Sequence, residues 1–335
     1  IARRAGMIAA DVAPGVAVVT GDELERMHEE DAALRFENGV TVFARTTPEQ
    51  KMKIVSALHR RDLVVAMTGD GVNDAPALKS ADVGVAMGRD GTDVAREAAQ
   101  VILLDDNFAS IAAAVREGRT VYTNLKKGIA FLLPVNGGES ISLVTALLLG
   151  LTLPISALQI IWVNMVSSVV LAMTLAFEPV QPGVMKHPPR PRSESLLREF
   201  VVWRVVFVSL LFLSGIFAAW YWAMHQYGDE KVARTLAVNT LVAMEVFYLF
   251  AVRYLDSASI TLRGVLGTPI VLVAVATVIA LQLLFTYLPW FNQTLGTQAL
   301  SLEALGFAGV AGVLVLVILE IETALRKRLL RAGPG

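Results

Sequence analysis

The chain has 335 residues, of which 55% are hydrophobic and 18% are charged, and its mean hydropathy is +0.57. These values lie outside the usual range of a soluble domain and indicate a membrane protein. The formal net charge of −1 excludes a strongly basic surface, so nucleic acid is not an expected partner. Cysteine is absent, which excludes disulfides, iron–sulfur clusters and thiolate metal sites within this stretch.

Residues 1–106 mix charge and hydrophobicity and predict an α/β domain. Short β-rich runs alternate with amphipathic stretches, which is typical of a parallel sheet with helical crossovers. The clearest helix start is Thr47–Gln50, with threonine as N-cap, proline at the first helical position and glutamine closing a capping box. The opening residues Ile1–Gly6 read as the end of a helix, so we expect the chain to begin within a domain. The predicted strands are Val16–Thr20, Val40–Ala44, Leu63–Thr68, Val83–Met87 and Val101–Leu104.

Long apolar runs dominate the chain after residue 120. The segment Asn107–Asn124 predicts a polar stalk helix that continues into the first of six membrane spans. Each span has about 20 residues, enough to cross roughly 30 Å of hydrocarbon. An even number of spans places the soluble domain and the C-terminus on the same side. The predicted spans are approximately 127–150, 158–177, 203–224, 236–252, 268–288 and 304–322.

Basic residues are distributed unequally between the two sides of the predicted membrane domain. The connections on the side of the soluble domain carry eleven lysines and arginines, against Lys231 and Arg234 on the other side. The positive-inside rule therefore predicts a multi-pass integral membrane protein with its soluble domain and C-terminus in the cytoplasm, and we expect it in the cell membrane. The eleven are Lys186, Arg190, Arg192, Arg198, Arg204, Arg253, Arg263, Arg326, Lys327, Arg328 and Arg331.

The most specific stretch is Met67–Leu78, where a predicted strand ends and a helix begins. In open α/β sheets, ligands bind in loops at the carboxyl ends of strands, and glycines let the backbone approach a phosphate. Asp70 and Asp74 can both face one Mg²⁺, which takes one or two carboxylates, and Lys51 would add a point charge for phosphoryl oxygens. The spacing alone leaves open an ordinary Asp-Gly turn with a solvated Lys51.

Polar side chains within the apolar spans are the second group of candidates, because such side chains are expensive in lipid. In the first span, Pro134–Glu139 contains a proline and two glycines and predicts a break in the helix that frees backbone groups. The side chains in the second span share one face, at i, i+3 and i+4. The candidate oxygen ligands of a transported cation are Asn136, Glu139, Asn164, Ser167, Ser168 and Glu245.

A simpler interpretation stays open for these polar residues. The asparagines and serines would then only bond between helices, and the glutamates would pair with backbone or stay protonated. For Glu320 and Glu322, near the end of the last span, we expect a solvated interface beside Arg326.

Four segments of this chain resemble the signature motifs of the P-type ATPases. Two further segments resemble calcium-pump-like and sodium/potassium-pump-like members of that family, namely Trp162–Asn164 and Met185–Arg190. The order of the motifs and the six following spans also match, and the resemblance covers nearly the whole chain. The four segments are Thr47–Lys51, Thr68–Leu78, Val83–Gly88 and Asp105–Phe108.

This resemblance implies a Rossmann-like phosphorylation domain of the haloacid-dehalogenase type, followed by an all-α six-helix membrane domain. It implies that Asp70 binds Mg²⁺, that Asp74 supports that site and that Lys51 contacts the phosphoryl group of the ATP-derived phosphoenzyme. It also implies that the aspartyl nucleophile, in an Asp-Lys-Thr-Gly-Thr motif, precedes this chain, so that the fragment alone should be inactive. The cofactor-binding loop residues would be Thr68, Gly69, Gly71 and Asn73.

By the same resemblance, five of the six polar residues occupy the positions of ion ligands in calcium pumps, namely Asn136, Glu139, Asn164, Ser167 and Glu245. Ser168 departs from the pattern, since calcium pumps carry an aspartate there, and this puts a two-calcium stoichiometry in doubt. One divalent ion or a different cation is then expected. The expected partners are the cation, the lipid bilayer and the missing N-terminal part of the same pump.

The predicted domains are a partial phosphorylation domain at 1–106, a stalk helix at 107–126, a membrane domain at 127–322 and a cytosolic tail at 323–335. The leading hypothesis is the C-terminal part of an ATP-driven cation pump. Two alternatives stay open: a truncated non-catalytic membrane protein that binds ions or regulates a full-length pump, and a membrane-anchored phosphatase.

Overall fold

The structure is a computed structural model that describes residues 18–28, 31, 42–181, 183–191, 199–253 and 268–332. The chain divides into two compact units. The first comprises Ile1–Arg116 and Met185–Glu194, and the second comprises Glu117–Val184 and Ser195–Gly335.

The first unit contains short parallel strands separated by short helices. Strands β1 and β2 form one parallel pair, and β3, β4 and β5 form a second parallel sheet in that order. The predicted parallel pairing is confirmed, although the described strands form two small sheets and not one. The strands are β1 Val18–Thr20, β2 Val42–Ala44, β3 Ala66–Gly69, β4 Val83–Met87 and β5 Val101–Leu103, and the helices are α1 Gly21–Arg26, α2 Pro48–His59, α3 Ala75–Ser80 and α4 Asp93–Ala98.

Helix α2 begins where the sequence predicts. The Thr47 side chain accepts a hydrogen bond from the backbone N–H of Gln50, and the Gln50 side chain accepts one from the backbone N–H of Thr47 at 3.0 Å. The Gln50 amide also donates to the carbonyl oxygen of Gly21 at 3.1 Å. One capping residue therefore both starts α2 and holds it against α1, which places Lys51 in the first turn of α2.

Among the residues that the structure describes, six helices are long and apolar enough to span a membrane, and they confirm the six predicted spans. The second span consists of α6, a π-helical turn and α7, and a short helix, α11, follows the fifth span. The elements are α5 Phe108–Leu148, α6 Ala157–Val163, the π turn Asn164–Ser168, α7 Val169–Ala176, α8 Glu199–Tyr227, α9 Glu230–Arg253, α10 Pro269–Tyr287, α11 Pro289–Leu295 and α12 Leu302–Ala332.

The fourth span, α9, is the centre of the second unit. Its most apolar stretch is 83% buried, whereas the corresponding stretches of the other five spans are 28–44% buried. Apolar side chains from α5, α6, α7, α8, α10 and α12 join those of α9 in one core. A polar residue in this apolar stretch of α9 is therefore enclosed by protein on nearly every face.

The predicted break at Pro134–Glu139 is wrong, because α5 runs without interruption from Phe108 to Leu148. Close packing explains the two glycines there: a Cβ on Gly138 would lie 2.5 Å from the Cβ of Phe212, and one on Gly137 would lie 2.3 Å from Oγ of Ser209. The irregular backbone lies instead in the second span, at the π turn. Such turns have i→i+5 hydrogen bonds and widen a helix locally.

Candidate functional site

The loop after β3 is organised around the carboxylate of Asp74. This residue ends a 3₁₀ turn, Val72–Asp74, and is 7% exposed. Its Oδ1 accepts a hydrogen bond from Nζ of Lys51, and its Oδ2 accepts one from the backbone N–H of Gly71 at 3.2 Å. The structure therefore brings Lys51 and Asp74 into direct contact.

The electrostatic balance at Asp74 favours its ionised form. Burial by itself raises the pKa of a carboxyl group, but the Lys51 hydrogen bond, the Gly71 N–H and the Lys51 charge together hold the pKa of Asp74 below its ordinary value of 3.8. Asp74 therefore remains a negatively charged partner of Lys51 at neutral pH, and its oxygens are already used as acceptors.

Gly69 makes room for that carboxylate. A Cβ at position 69 would lie 2.5 Å from the Cβ of Asp74, closer than real side chains approach. A Cβ on Gly71 would lie 3.5 Å from Oδ2 of Asp74, an ordinary contact. The requirement for glycine is therefore much stronger at position 69 than at position 71.

Asp70 follows directly after β3 and has an exposed side chain. Its backbone carbonyl accepts a hydrogen bond from the N–H of Thr92 at 2.8 Å, and the Thr92 side chain caps α4. Thr68 is half-buried in β3 and Asn73 is exposed. The carboxylate of Asp70 thus faces solvent at the carboxyl end of a strand, beside the Lys51–Asp74 pair.

The Asp105–Phe108 motif has a structural role that the sequence alone does not reveal. The Asp106 carboxylate accepts hydrogen bonds from the backbone N–H groups of Gly88 at 2.6 Å, Arg89 at 3.1 Å and Asp90 at 2.8 Å. The hydrogen bond from the Asp90 N–H has the largest effect on the pKa of Asp106. Together the three bonds outweigh the effect of burial and lower this pKa. The carboxylate thereby ties the loop after β4 to the loop after β5.

In the second unit, Glu139 and Asn164 connect the first and second spans. Glu139 is 4% exposed, and its Oε2 accepts a hydrogen bond from Nδ2 of Asn164 at 2.8 Å. The same amide nitrogen contacts the carbonyl oxygen of Ile160 at 3.2 Å. The Asn164 side chain has a second polar atom, its amide oxygen, which can only accept hydrogen bonds.

Glu245 and Ser168 connect the fourth span to the second. Both residues are fully buried, and Oγ of Ser168 donates to Oε1 of Glu245 at 3.1 Å. The remaining oxygens, Oε1 of Glu139 and Oε2 of Glu245, are buried and accept no hydrogen bond within the described part of the chain. Two buried carboxylate oxygens therefore lack a hydrogen-bond donor among the described residues.

The π turn presents the second span's polar residues to both glutamates. Asn164 and Ser168 are its first and last residues, and Ser167 within it donates to the carbonyl oxygen of Val163 at 2.8 Å. Asn136, in contrast, is exposed on α5. The structure therefore brings together Glu139 with Asn164 and Glu245 with Ser168, and it shows no hydrogen bond from Asn136 to this group.

Two buried ion-pair clusters also lie among the described spans, and sequence analysis missed both. Arg253 donates to Oε1 of Glu178 at 2.6 Å, and Nζ of Lys127 lies 3.9 Å from Oε2 of the same carboxylate. Arg204 donates to Oε2 of Glu322 at 2.7 Å. The sequence does place a charged residue near an end of five of the six predicted spans, but it does not indicate which of these residues pair.

These pairs correct two interpretations. The side chain of Glu322 is 14% exposed and is paired with Arg204, so it does not form a solvated interface beside Arg326. Arg204 and Arg253 were counted with the basic residues of the connections, but they are 2% and 1% exposed. Without these two, the count is nine against two, and the orientation stays a prediction.

Fold and polar interior together define a multi-pass membrane protein with a candidate cation site among its helices. Residues 152–325 match the family model described as "Cation transporting ATPase, C-terminus". Since the match covers more than half of the chain, the chain belongs to this family, which confirms the resemblance found in the motifs.

Individual relatives extend the similarity into the first unit. The chain is 46% identical over 297 residues to "Cation-transporting ATPase pma1" of Synechocystis sp., covering 87% of this chain and 32% of that protein. It is 39% identical over 317 residues to "Probable cation-transporting ATPase F" of Mycobacterium tuberculosis, covering 95% of this chain and 35% of that protein. It is 37% identical over 328 residues to "Calcium-transporting ATPase 1" of Bacillus cereus, covering 92% of this chain and 36% of that protein. The chain thus spans about a third of the length of these relatives.

Proposed function

We propose that the complete protein is a P-type cation pump, to which this chain contributes the C-terminal membrane region and part of the phosphorylation domain. The pump would work through an aspartyl phosphate formed from ATP on a residue upstream of this chain. The family match and the names of the relatives support cation transport. Because the chain spans about a third of the length of these relatives, it would supply only part of such a pump.

The pair of buried carboxylates is the observation that carries this proposal. Glu139 and Glu245 each bury one oxygen atom that lacks a donor among the described residues. An ionised carboxylate in such surroundings is costly unless a positive charge accompanies it. A cation bound between them would supply that charge and would take its remaining ligands from neutral oxygens such as those of Asn164 and Ser168.

A single small divalent ion, with calcium as the first candidate, suits this set of ligands. All of the groups are oxygen donors, which hard cations prefer, and two carboxylates balance one divalent charge. Among the described residues, no three carboxylate or imidazole groups converge, so a more highly charged site is not present there. The relative named for calcium transport supports calcium, whereas the neutral hydroxyl of Ser168 supports one ion per cycle.

The loop after β3 is proposed to hold Mg²⁺ and the transferred phosphoryl group. The residues fit this role, because Mg²⁺ often binds one or two protein carboxylates and keeps several waters, and the carboxylate of Asp70 is exposed to solvent. Asp74 would orient Lys51 toward phosphoryl oxygens and would not itself be a ligand. The domain would be of the haloacid-dehalogenase type, with Thr68, Gly69, Gly71 and Asn73 in its binding loop.

The location is part of the same proposal. We expect the first unit and the C-terminus in the cytoplasm, where ATP is available, and the six spans in the cell membrane. The nine basic residues that remain on that side support this orientation.

The proposal is tested with the complete pump by ATPase assays across Ca²⁺, Mn²⁺, Na⁺ and K⁺. We expect one cation to activate, and Glu139→Gln to raise its half-activating concentration by about tenfold or more, as expected for a lost charged ligand. Glu303→Gln is the matched control, because Glu303 is an exposed glutamate in the first turn of α12. Equal cation dependence of Glu139→Gln and the unaltered pump would place the site elsewhere.

A further inference from the structure

Pro134 leaves one carbonyl of the first span without its helical partner. Proline has no backbone N–H, so it cannot donate the usual helical hydrogen bond to the carbonyl oxygen of Ala130, four residues earlier in α5. In this structure the hydroxyl of Tyr248 donates to that oxygen at 2.6 Å. A side chain from the fourth span thus takes the place of the missing amide.

Tyr248 is closely packed in this position. It is fully buried, its ring stacks on Phe131 with centroids 5.7 Å apart, and it meets Phe212 edge-on at 5.8 Å. Phe131 is next to Ala130 on α5, so the ring and the hydroxyl of Tyr248 contact the same turn. The packing fixes the ring, and the hydrogen bond fixes its hydroxyl.

The carbonyl of Pro134 itself is also held from outside α5. Its oxygen accepts a hydrogen bond from Oγ of Ser209, on the third span, at 3.0 Å. Glu139 lies five residues after Pro134 on α5, and Glu245 lies three residues before Tyr248 on α9. Of these two contacts, that of Tyr248 connects α5 and α9, the two helices that carry the buried carboxylates, and that of Ser209 connects α5 to the third span.

We propose that Tyr248 is a positioning residue of the cation site: its hydroxyl replaces the N–H that Pro134 lacks and thereby sets the register of α5 against α9. This proposal rests on the cation site proposed above, since the register of these helices sets the separation of Glu139 and Glu245. Ligands of a cation must be held within fractions of an ångström, so a small shift of one helix changes the affinity.

A double-mutant cycle between Tyr248 and Pro134 tests the proposal. Tyr248→Phe keeps the ring and removes the donor, which leaves a buried carbonyl unsatisfied. Pro134→Ala restores a backbone N–H that can bond Ala130, so the hydroxyl is no longer needed. The cycle isolates this bond from the other neighbours of Tyr248, among them Arg204, because those neighbours are the same in both backgrounds.

The measurement is the half-activating concentration of Ca²⁺ for ATPase activity of the complete pump, together with its melting temperature. We expect Tyr248→Phe to raise this concentration by about tenfold with Pro134 present and by less than about twofold with Pro134→Ala, as expected for one buried acceptor left unpaired. Tyr287→Phe is the control, because its hydroxyl donates to the carbonyl of Leu300 at 2.8 Å, away from any proline in α5. It should show no coupling to Pro134→Ala.

Two results would overturn the proposal. The first is that Tyr248→Phe changes the half-activating Ca²⁺ concentration equally with and without Pro134→Ala. The second is that Tyr248→Phe lowers the melting temperature and leaves the Ca²⁺ dependence unchanged, which would show a purely structural role. If Tyr248→Phe alone is not obtained folded, the double variant should fold, because its backbone bond is restored, and failure of both also overturns the proposal.

The cation site and the positioning role fail in different ways. If the pump does not respond to Ca²⁺, the same cycle is measured with whichever cation of the panel activates it. If Glu139→Gln leaves activation by that cation unchanged, the proposed site is wrong. If Glu139→Gln changes activation and Tyr248→Phe does not, the site stands and the positioning role is rejected.

Discussion

Among single residues of the first unit, Asp74 organises the loop after β3. It lies in a 3₁₀ turn, contacts Lys51 and the N–H of Gly71, and packs against Gly69. Asp74, a motif residue and a candidate metal ligand by its spacing, is the ion-pair partner of Lys51 in the structure. Asp70, four residues earlier, retains the exposed carboxylate.

The Lys51–Asp74 pair predicts a pH-dependent stability. The pKa of Asp74 is lowered in the folded state, so its contribution is present above the ordinary value of 3.8 and is lost as the pH falls below it. We expect Lys51→Met to lower the melting temperature at pH 7 and this difference to shrink below about pH 4. Lys79→Met, at an exposed position of α3, is the control and should have little effect. A difference that stays constant down to pH 3 would show that packing, and not charge, is responsible.

The two glycines beside Asp74 predict opposite tolerance to a methyl group. Gly69→Ala places a Cβ 2.5 Å from the Cβ of Asp74 and should destabilise the protein by about 1–3 kcal/mol, as overpacking does. Gly71→Ala meets only an ordinary contact at 3.5 Å and has φ near −100°, so its melting temperature should be nearly unchanged. Equal melting temperatures of the two variants would contradict this packing.

Among the elements, α5 is continuous and α6–α7 is not, the reverse of what proline and glycine suggested. In α5 the carbonyls of Ala130 and Pro134 receive side-chain donors, from Tyr248 and Ser209, so the proline is accommodated within the helix. In the second span the π turn presents Asn164 and Ser168 to carboxylates on different helices. In both spans, tertiary hydrogen bonds thus accompany the departures from regular helical bonding.

Glycines of α5 test how closely the spans pack. Gly138→Ala should destabilise the protein by about 1–3 kcal/mol, because its Cβ would lie 2.5 Å from that of Phe212 on α8. A Cβ on Gly128 would meet no atom of the described residues within 4 Å outside its own stretch of helix, so alanine should be neutral or should stabilise the helix by about 0.5–1 kcal/mol. Thermal melting of both variants in detergent measures the difference. A stable Gly138→Ala protein would show that α5 and α8 are further apart.

Across the membrane unit as a whole, buried charges hold several spans together. Glu178, after the second span, receives Arg253 from the fourth and lies 3.9 Å from Lys127 of the first. Arg204 of the third span is paired with Glu322 of the last. Hydrophobic contact alone is weakly specific in lipid, so such pairs help to define which helices are neighbours.

The Glu178 cluster predicts a large loss of stability on removal of its carboxylate. Glu178→Gln should lower the free energy of unfolding by about 3–5 kcal/mol, because two buried cations lose the carboxylate that they both contact. Glu230→Gln, which breaks the more exposed pair with Arg234, should change it by less than about 1 kcal/mol. Similar effects of both substitutions would argue that the cluster is hydrated.

Six spans, the start of α2, the parallel pairing and the family could all be obtained from local patterns. Apolar length, the Thr47–Gln50 capping box and the motif around Asp70 need only neighbouring residues to be recognised. The chemistry of the candidate site was also visible, because carboxylates such as Glu139 and Glu245 are rare in apolar segments. These features depend on interactions within a few residues of the chain.

The partners of those residues were decided by tertiary structure alone. The hydrogen bond between Glu245 and Ser168 spans 77 positions of the chain, and that between Tyr248 and Ala130 spans 118. Neighbouring residues in the sequence do not predict the continuity of α5 through Pro134 or the exposure of Asn136. They also do not predict that Arg204 pairs with Glu322. The physical reason is that a buried polar group must find a partner, and which partner it finds depends on how helices distant in sequence pack together.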